Sequence, residues 1–352
     1  HESAAVWTIY HAIDSETANP FQAYQATRYI DTAIPHIPVT AHGLKENGYA
    51  TIATTNWLPY SWSVNNIAFA EVMHTALSYF QAGRAEAGYK LLKSSVLDGM
   101  YLGDSPGNFG QISFYDAARG ECYRDFGDPI GVASRVLIQG LFGILPDALN
   151  QQIILRPGFP DDWDKASVST PDINYRFTRK EDTDTYHITQ RFQTPLHPVL
   201  HVNARKEKIR SVKVNGVPAT WQSIESAHGY PLLSIQAEGT SSTTITIEWE
   251  GASLHTLAVQ ELVIASNGKL ALQIPSGASI SQVYDPQSVL AKHTVEATAF
   301  NAQLKGEPGH HTFFVYTHQG EMDWWQPVNI YIENTRKAPS YTCLLYTSDA
   351  AD

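Results

Sequence analysis

The stretch "VLIQGLFGILPDALNQQIILRPGFPDDW", residues 136–163, marks a change in the hydrophobic period of the chain. Its first part completes a helical pattern that begins at residue 130, and Gly143 and Pro146 are typical of a helix end. The following "QQIILRPG" is short and β-branched, as strands are. The sequence therefore predicts a helical region before about residue 150 and a β region after it.

The first long helical pattern is "NPFQAYQATRYIDTAI", residues 19–34. Asn19 is a good N-cap because its side chain accepts a hydrogen bond from a backbone amide of the first turn. Pro20 suits the first helical position because its ring already has a helical φ. We expect a helix that begins at these two residues.

A second pattern, "NNIAFAEVMHTALSYFQAG" at residues 65–83, is apolar nearly all round, with Glu71 and His74 as the exceptions. This composition predicts a helix buried between neighbours. Gly83 interrupts the pattern, and "RAEAGYKLLKSSVLDG" at residues 84–99 returns as another helix. So short a connection predicts two antiparallel helices in contact.

Beyond residue 150, short segments with a period of two alternate with turn signals. They fall into two groups that predict a β-sandwich over residues 149–250 and a second sandwich-like module over residues 251–338. In the last group, "DWWQP" at residues 323–327 is a candidate carbohydrate platform. Adjacent residues of a strand point to opposite faces, so one of the two tryptophans should belong to the core.

The segment "NWLPYSWSVNN", residues 56–66, combines two tryptophans, a tyrosine and three asparagines without any charge. Aromatic faces cover the apolar face of a pyranose, and amides satisfy its hydroxyls. This mixture predicts a wall that holds a sugar.

The junction at residues 136–163 resembles one that recurs in six-hairpin glycosidases. In these proteins the last helix of an (α/α)6 barrel leads through a proline-containing turn into a β-sandwich. The residues that carry the resemblance are Gly140, Gly143, Pro157, Pro160 and Trp163. The segment "RGECYRDFGDPIGVASRVL" is similar to a loop of trehalase-like members, and "VKVNGVPATW" resembles hairpins of accessory sandwiches in bacterial glycan-degrading enzymes.

The resemblance implies that residues 1–148 form the last hairpins of such a barrel, a partial (α/α)6 barrel followed by β-sandwich modules. A complete barrel has twelve helices, and the sequence before residue 150 has about five. It also implies that the first half of the barrel lies outside this sequence. In relatives the general acid often comes from an earlier hairpin, so one catalytic group is expected there as well.

Glycoside hydrolysis usually needs two carboxyl groups across a cleft. The long polar stretch at residues 100–130 is the best source, because an irregular segment of this length in a compact domain is more often functional than not. Its aromatic residues would raise the pKa of a neighbouring carboxyl group, and its arginines would keep another one ionised. The candidate catalytic residues are Glu121, Asp125 and Asp116.

The candidate substrate-binding residues come from four segments and carry aromatic, amide or charged groups. They are Asn56, Trp57, Tyr60, Trp62, Asn66, Asn108, Arg124, Asp14 and Gln22. The sugar wall and the acidic stretch each precede a helix, and these helices are two elements apart. We therefore expect both segments at the same end of the helical region, lining one pocket.

Structural roles remain open for these residues. Arg119 and Arg124 are equally able to form ion pairs, Asp128 to cap the last helix, and Asp14 to close a turn. Two other functions also remain open: a polysaccharide lyase on a similar α-barrel, which abstracts a proton with Tyr or His, and a non-catalytic glycan-binding protein.

The composition argues against several other classes of function. A net charge of −11 with 17% charged residues does not suit binding to nucleic acid. No apolar run reaches the ~20 residues of a membrane helix, and no metal, nucleotide or serine-hydrolase motif is present. We expect a carbohydrate as partner, no cofactor and no metal, and a periplasmic or extracellular location.

The last ten residues, "CLLYTSDAAD" at residues 343–352, back-translate to a string that looks like a sequencing adaptor read in frame. We interpret them as an artefact joined to a truncated environmental, or metagenomic, bacterial gene. Cys122 is then the one genuine cysteine, which argues against a disulfide framework.

Overall fold

A computed structural model describes residues 6–40, 43–54, 66–102, 114–116, 121–123, 127–255 and 261–333 of the chain. Strands account for 45% and helices for 25% of the structure. The predicted residues Asn56, Trp57, Tyr60, Trp62, Asn108, Arg124 and Asp125 and the adaptor-like segment 343–352 lie outside the described residues.

The described residues contain five α-helices, all within the first 135 positions. They are α1 (Val6–Asp14), α2 (Pro20–Ala33), α3 (Phe69–Gln81), α4 (Ala85–Val96) and α5 (Asp128–Arg135). Helices α4 and α5 each continue into a π-helical turn, at Leu97–Leu102 and Val136–Leu141. The predicted start of α2 is confirmed, since the Asn19 side chain accepts from the Gln22 amide and Pro20 occupies the first turn.

Helix α3 lies at the centre of the helical region and contacts each of the other four helices. Nine of its thirteen residues are buried, as its nearly uniform apolar sequence predicts. Helices α3 and α4 pack as the predicted adjacent pair. The core around α3 draws on α1, α2, α4 and the turn after α5.

The expected partial (α/α)6 barrel is wrong. The structure is mostly β, and its described helices surround α3 instead of following one another as hairpins of a ring. Helix α2 also contacts α3 on one side and a strand of the last β module on the other. An amphipathic pattern shows that a helix has a face to bury, but it does not show whether a helix or a sheet will cover that face.

Five short strands accompany the helices: β1 (His36–Pro38), β2 (Ala50–Ile52), β3 (Asn66–Ala68), β4 (Phe114–Asp116) and β5 (Glu121–Tyr123). Strands β3, β4 and β5 form one antiparallel sheet. The polar stretch at residues 100–130, expected to be irregular, therefore contributes two strands, and α3 begins three residues after the start of β3.

The next eleven strands form two sheets that share one core. They are β6 (Ile144–Asp147), β7 (Gln152–Leu155), β8 (Lys165–Ser169), β9 (Ile173–Lys180), β10 (Thr183–Gln190), β11 (His197–Asn203), β12 (Lys206–Val214), β13 (Val217–Pro218), β14 (Gln222–Ser223), β15 (Leu232–Gln236) and β16 (Ser242–Ser253). The sheets have the strand orders β13-β12-β16-β10-β9-β8 and β14-β15-β11-β7-β6. Alternate residues such as Tyr175 and Phe177 of β9 point into the core, which gives the observed period of two.

The last seven strands form a second pair of sheets around a separate core. They are β17 (Leu262–Ala265), β18 (Lys269–Gln273), β19 (Ala278–Tyr284), β20 (Leu290–Glu296), β21 (Ala299–Leu304), β22 (Gly309–Gln319) and β23 (Met322–Glu333). The sheets have the orders β17-β23-β22-β19 and β18-β21-β20. Trp324 is 1% exposed while Trp325 is partly exposed, which confirms that one of the two tryptophans belongs to the core.

The long hairpin of β22 and β23 ties the three regions together. Met322 and Trp324, near its tip, pack into the core of the first sandwich, whereas Val328 and Ile330 belong to the second core. On the opposite side, the Asn329 amide donates to the hydroxyl of Tyr24 on α2 at 3.1 Å. The β module is therefore packed against both the helices and the first sandwich.

The junction between the helical region and the first sandwich, residues 136–163, depends on glycine. Gly143 has φ +64°, and a Cβ atom at this position would lie 2.0 Å from the carbonyl oxygen of Arg156. Gly140 and Gly158 both pack against the ring of Phe80 on α3. A Cβ atom would lie 2.6 Å from this ring at Gly140 and 2.3 Å from it at Gly158, so neither position has room for a side chain. These close contacts hold the end of the helical region against the first sandwich.

Candidate functional site

The small sheet β3–β4–β5 joins the two segments that the sequence assigns to a sugar site. In its register, Asn66 pairs with Asp116, and Asp116 pairs with Glu121. Three predicted site residues thus occupy one row across the sheet, at the end of the helical region where α3 begins. That their side chains line one pocket stays a prediction.

Gln22 serves the start of α2 in the structure. Its Oε1 accepts a hydrogen bond from the Asn19 backbone amide at 3.0 Å, and its own backbone amide donates to Oδ1 of Asn19 at 2.9 Å. This reciprocal capping box gives Gln22 a structural role that needs no ligand. A contact between Gln22 and substrate stays a prediction.

Asp14, at the end of α1, is held by three side chains of the helical region. Arg135 donates to both carboxylate oxygens, at 2.6 and 2.8 Å, and Gln81 donates to Oδ1 at 2.9 Å. The Nε2 atom of His74 lies 3.2 Å from Oδ2. Burial alone would raise the pKa of Asp14, but these bonds and the charge of Arg135 lower it to about 2.

His74 lies between Asp14 and the aromatic side of α1. Its ring stacks on Tyr10 with 4.2 Å between ring centroids, and the Arg135 guanidinium lies 3.3 Å from its Nε2. Burial lowers the pKa of His74, although the charge of Asp14 opposes this effect. His74 is therefore neutral near pH 7, and its orientation is set by Asp14 and Tyr10.

Glu71 lies one turn before His74, in the first turn of α3. Its Oε2 atom is buried and has no hydrogen-bond partner among the described residues. Burial raises the pKa of Glu71 to about 7, with a hydrogen bond to Thr54 opposing this effect and the charge of Asp128 adding to it. Burial and the charge of Glu71 in turn raise the pKa of Tyr10 far above its usual value.

These groups form what we term the α3 cluster: Tyr10, Asp14, Glu71, His74 and Arg135. It holds two carboxyl groups whose environments move their pKa values in opposite directions. At neutral pH, Asp14 is an ionised carboxylate, whereas a large fraction of Glu71 carries a proton. Pairs of this kind are typical of acid–base sites.

The sequence analysis did not select Glu71, His74 or Arg135 as site residues. Glu71 and His74 had a visible signal, because both are titratable residues in an otherwise apolar helix. Arg135 had none, since its contact with Asp14 depends on how α1 and α5 both pack against α3. Asp128, expected as a helix cap, lies in the first turn of α5, where its negative charge suits the helix dipole.

Two further features bear on ligands and membranes. Within the described ranges, no three His, Cys, Asp or Glu side chains meet in a geometry suited to a metal ion. Among the same residues, every helix is too short or too polar to cross a bilayer.

Comparisons with known proteins give little similarity. No family model matches the chain, and no curated protein matches it in sequence. Among solved structures, an alpha-L-rhamnosidase from Dictyoglumus thermophilum aligns at a TM-score of 0.34 with 12% identity, covering 51% of this chain. The N-terminal eight Ig domains of Down Syndrome Cell Adhesion Molecule align at a TM-score of 0.17 with 10% identity, covering 47% of this chain.

The alignment spans 21% of the length of the rhamnosidase and 32% of the Ig-domain chain. The N-terminal periplasmic domain of ScsB from Proteus mirabilis aligns at a TM-score of 0.15 with 7% identity, covering 48% of this chain and 99% of its own. Similarity at these TM-scores assigns neither a fold nor an activity to this chain.

Proposed function

We propose that the chain is a glycoside hydrolase that acts on a polysaccharide or oligosaccharide, with Glu71 as its general acid. One observation carries this proposal: the carboxyl group of Glu71 is buried, one of its oxygens has no partner among the described residues, and its pKa is raised to about 7. A buried polar atom without a partner costs stability, so a functional reason for it is expected.

The raised pKa suits proton donation to a leaving group. A general acid works best when its pKa lies near the working pH, because it is then both protonated and able to release its proton. An ordinary glutamate is almost fully ionised at pH 7. The environment of Glu71 keeps a large fraction of the acid form at that pH.

A second carboxylate is needed to activate water or to attack the sugar. Asp116 and Glu121 are our candidates, because β4, which carries Asp116, pairs with β3, and β5, which carries Glu121, pairs with β4. Strand β3 leads directly into α3. Asp125 remains a candidate from the sequence alone. Asp14 suits a different role, because its oxygens already accept hydrogen bonds from Arg135 and Gln81. We assign it to positioning His74 and Arg135.

The α3 cluster favours a hydrolase over a lyase. A lyase would need a tyrosine or histidine that takes up a proton from the sugar. Tyr10 is buried and its pKa is raised, which disfavours the tyrosinate form. The pKa of His74 is lowered, and its Nε2 is already engaged by Asp14 and Arg135.

The test uses the full chain and two variants that make the same chemical change. Glu71→Gln removes the acid, and Glu296→Gln changes an exposed glutamate of β20. Release of reducing ends is measured on a panel of neutral and acidic polysaccharides. We expect Glu71→Gln to lose at least ~100-fold in rate, the usual scale of acid–base catalysis, and Glu296→Gln to keep full activity.

Other outcomes identify the alternatives. Ultraviolet absorbance from an unsaturated uronate would mean a lyase, and binding without any product would mean a glycan-binding protein. Equal rates for Glu71→Gln and the unchanged chain would refute the assignment of Glu71. A location outside the cytoplasm belongs to the same proposal, because polysaccharide chains do not enter cells intact, and fractionation of expressing cells would test it.

A further inference from the structure

A cavity of about 290 Å³ lies between the C-terminal end of α3 and the first sandwich. It is at the opposite end of α3 from Glu71, and the 1.5 Å rise per residue puts Gln81 about 15 Å along the helix from Glu71. The residues that matter here are Gln81, Arg156, His201, Asn203 and Tyr230, which all line the cavity. Its volume is close to the lower end of the ~300–1,000 Å³ range of small-molecule sites.

The strand register brings the two basic residues of this cavity together. Strands β7 and β11 are parallel, and Leu155 pairs with Leu200. Arg156 directly follows the end of β7 and His201 is the next residue of β11, so they lie side by side. The Nε atom of Arg156 donates to Nδ1 of His201 at 3.0 Å.

This hydrogen bond determines the state of both groups. Arginine can only donate, so Nδ1 of His201 is an acceptor and the proton of the neutral ring is on Nε2. Burial and the charge of Arg156 lower the pKa of His201 to about 4, so the ring is neutral across the physiological range. The guanidinium is therefore oriented by its Nε, and its terminal Nη1–Nη2 edge remains for another ligand.

Arg156 has no ion-pair partner in the part of the chain that the structure describes. The guanidinium is surrounded by enough protein for burial to lower the pKa of Arg156, and the charge of Glu16 opposes this effect without an ion pair. The other arginines near this region are paired: Arg84 with Asp31, and Arg179 and Arg205 with Asp184. Arg156 is exposed and lines the cavity, so its Nη1–Nη2 edge, which no carboxylate of the described residues occupies, is accessible to an anionic ligand.

The remaining walls suit a sugar better than a simple anion. Tyr230 is 38% exposed and offers an aromatic face, and Phe80 and Pro157 add apolar surface. Asn203 supplies an amide for hydroxyl groups, and Gln81, whose Nε2 donates to Asp14, supplies its Oε1 as an acceptor. Inorganic phosphate would satisfy the guanidinium but would leave these walls without contacts.

We propose that this cavity binds a carboxylate-bearing sugar, with the carboxylate on the Nη1–Nη2 edge of Arg156 and the ring against Tyr230. A planar guanidinium edge matches a carboxylate with two parallel hydrogen bonds, which a lysine cannot reproduce. The proposal concerns binding and does not rest on the hydrolytic function. It holds equally for a chain in which Glu71 is replaced by glutamine.

The test measures binding of galacturonate and glucuronate to the full chain by calorimetry, with galactose, glucose and inorganic phosphate as comparison ligands. We expect a uronate to bind at least tenfold more tightly than its neutral counterpart and than phosphate, since hydrogen bonds to a charged group are stronger than those to a neutral one. Equal affinity for the neutral sugar, or tighter binding of phosphate, would overturn the proposal.

Three variants make the result specific. Arg156→Met should lose at least tenfold in affinity for the uronate, and Arg156→Lys should recover only part of it because the bidentate geometry is lost. Arg176→Met removes an exposed arginine of β9 and should change nothing. Circular dichroism and the melting temperature show that each variant is folded. A folded Arg156→Met chain with unchanged affinity would refute the site.

Binding by the Glu71→Gln chain separates this proposal from the hydrolase. Unchanged uronate affinity together with lost turnover would support both proposals. Turnover by the unchanged chain without uronate binding would support the hydrolase proposal and refute this site. Uronate binding without turnover by the unchanged chain would support this site and refute the hydrolase proposal.

Discussion

Two buried carboxyl groups, Asp184 in the first sandwich and Glu71 beside β3, have opposite hydrogen-bonding environments. Asp184, on β10, has a side chain only 2% exposed and accepts from Arg179, Arg205 and the indole Nε1 of Trp249, at 2.9 to 3.1 Å. Glu71 has one buried oxygen without a partner among the described residues. Charge and burial alone therefore do not separate a structural carboxylate from a candidate catalytic one.

The two carboxyl groups differ in the number of hydrogen-bond partners. Two arginines and an indole satisfy Asp184, so the group stabilises the sandwich and has no capacity left for a ligand. The Oε2 atom of Glu71 can still accept a hydrogen bond, and its burial without one destabilises the folded chain. The Asp14 carboxylate resembles Asp184 in this respect, which is why we assign it to positioning and not to proton transfer.

The largest expected effect is the loss of Asp184. Asp184→Ala leaves two guanidinium groups without their shared carboxylate and Trp249 without its acceptor. We expect a loss of about 3–5 kcal/mol in the free energy of unfolding, measured with urea. The exposed Asp172→Ala variant is the control, and its stability should not change measurably. A loss below about 1 kcal/mol for Asp184→Ala would contradict a structural role for this network.

Replacement of Glu71 is expected to raise the free energy of unfolding at alkaline pH, whereas replacement of Asp184 lowers it. The pKa of Glu71 is about 7 in the folded chain and near 4.5 when unfolded, so the folded chain binds the proton more tightly. The free energy of unfolding therefore falls as pH rises from about 4.5 to 7 and stays lower above pH 7. Glutamine does not titrate, so Glu71→Gln should be more stable than the unchanged chain at pH 8, by about 2–3 kcal/mol, and lose this advantage at pH 4.

Thermal melting of both chains from pH 4 to pH 8 tests this prediction. A Glu71→Gln chain that melts lower than the unchanged chain at pH 8 would show that the glutamate is satisfied in solution. The carboxyl group would then resemble Asp184, and the comparison would fail.

Asp14 should show the usual behaviour of a paired carboxylate. Its pKa is lowered from 3.8 to about 2, so its contribution to stability is present above pH 4 and is lost as pH falls toward 2. Asp14→Asn should cost about 1–2 kcal/mol at pH 7, and the difference from the unchanged chain should shrink in acid. Chemical denaturation at pH 7 and pH 3 measures both values. A constant difference would show that packing, not charge, holds Asp14.

The smallest effect concerns Gln22, a residue that the sequence assigned to substrate. Loss of one capping interaction typically costs about 1 kcal/mol, so Gln22→Ala should lower the free energy of unfolding by that amount. It should leave the affinity for any glycan unchanged. Weaker glycan binding by Gln22→Ala would instead support the predicted contact between Gln22 and substrate.

Much of the local structure followed from the sequence. The N-cap of α2, the adjacent pair of α3 and α4 and the opposite faces of Trp324 and Trp325 are confirmed, because each depends on residues close together in the chain. The (α/α)6 barrel is wrong because it required knowledge of which surface covers each helix. The side chains of Asn66, Asp116 and Glu121 stay predictions, although β3, β4 and β5 place their backbones in one row.

The change from the last helix to the strands of the first sandwich could be predicted from the sequence, because hydrophobic period and glycine positions are local properties, whereas β1–β5 among the helices were not predicted. The sequence also indicated that α3 would be buried, and it marked Glu71 and His74 as exceptions there. Three features depend on the folded arrangement: the Oε2 atom of Glu71 has no hydrogen-bond partner among the described residues, Asp14 meets Arg135 from 121 residues away, and Arg156 lies beside His201. Partners and burial depend on contacts between distant segments, and these set both the pKa of a carboxyl group and the site it can serve.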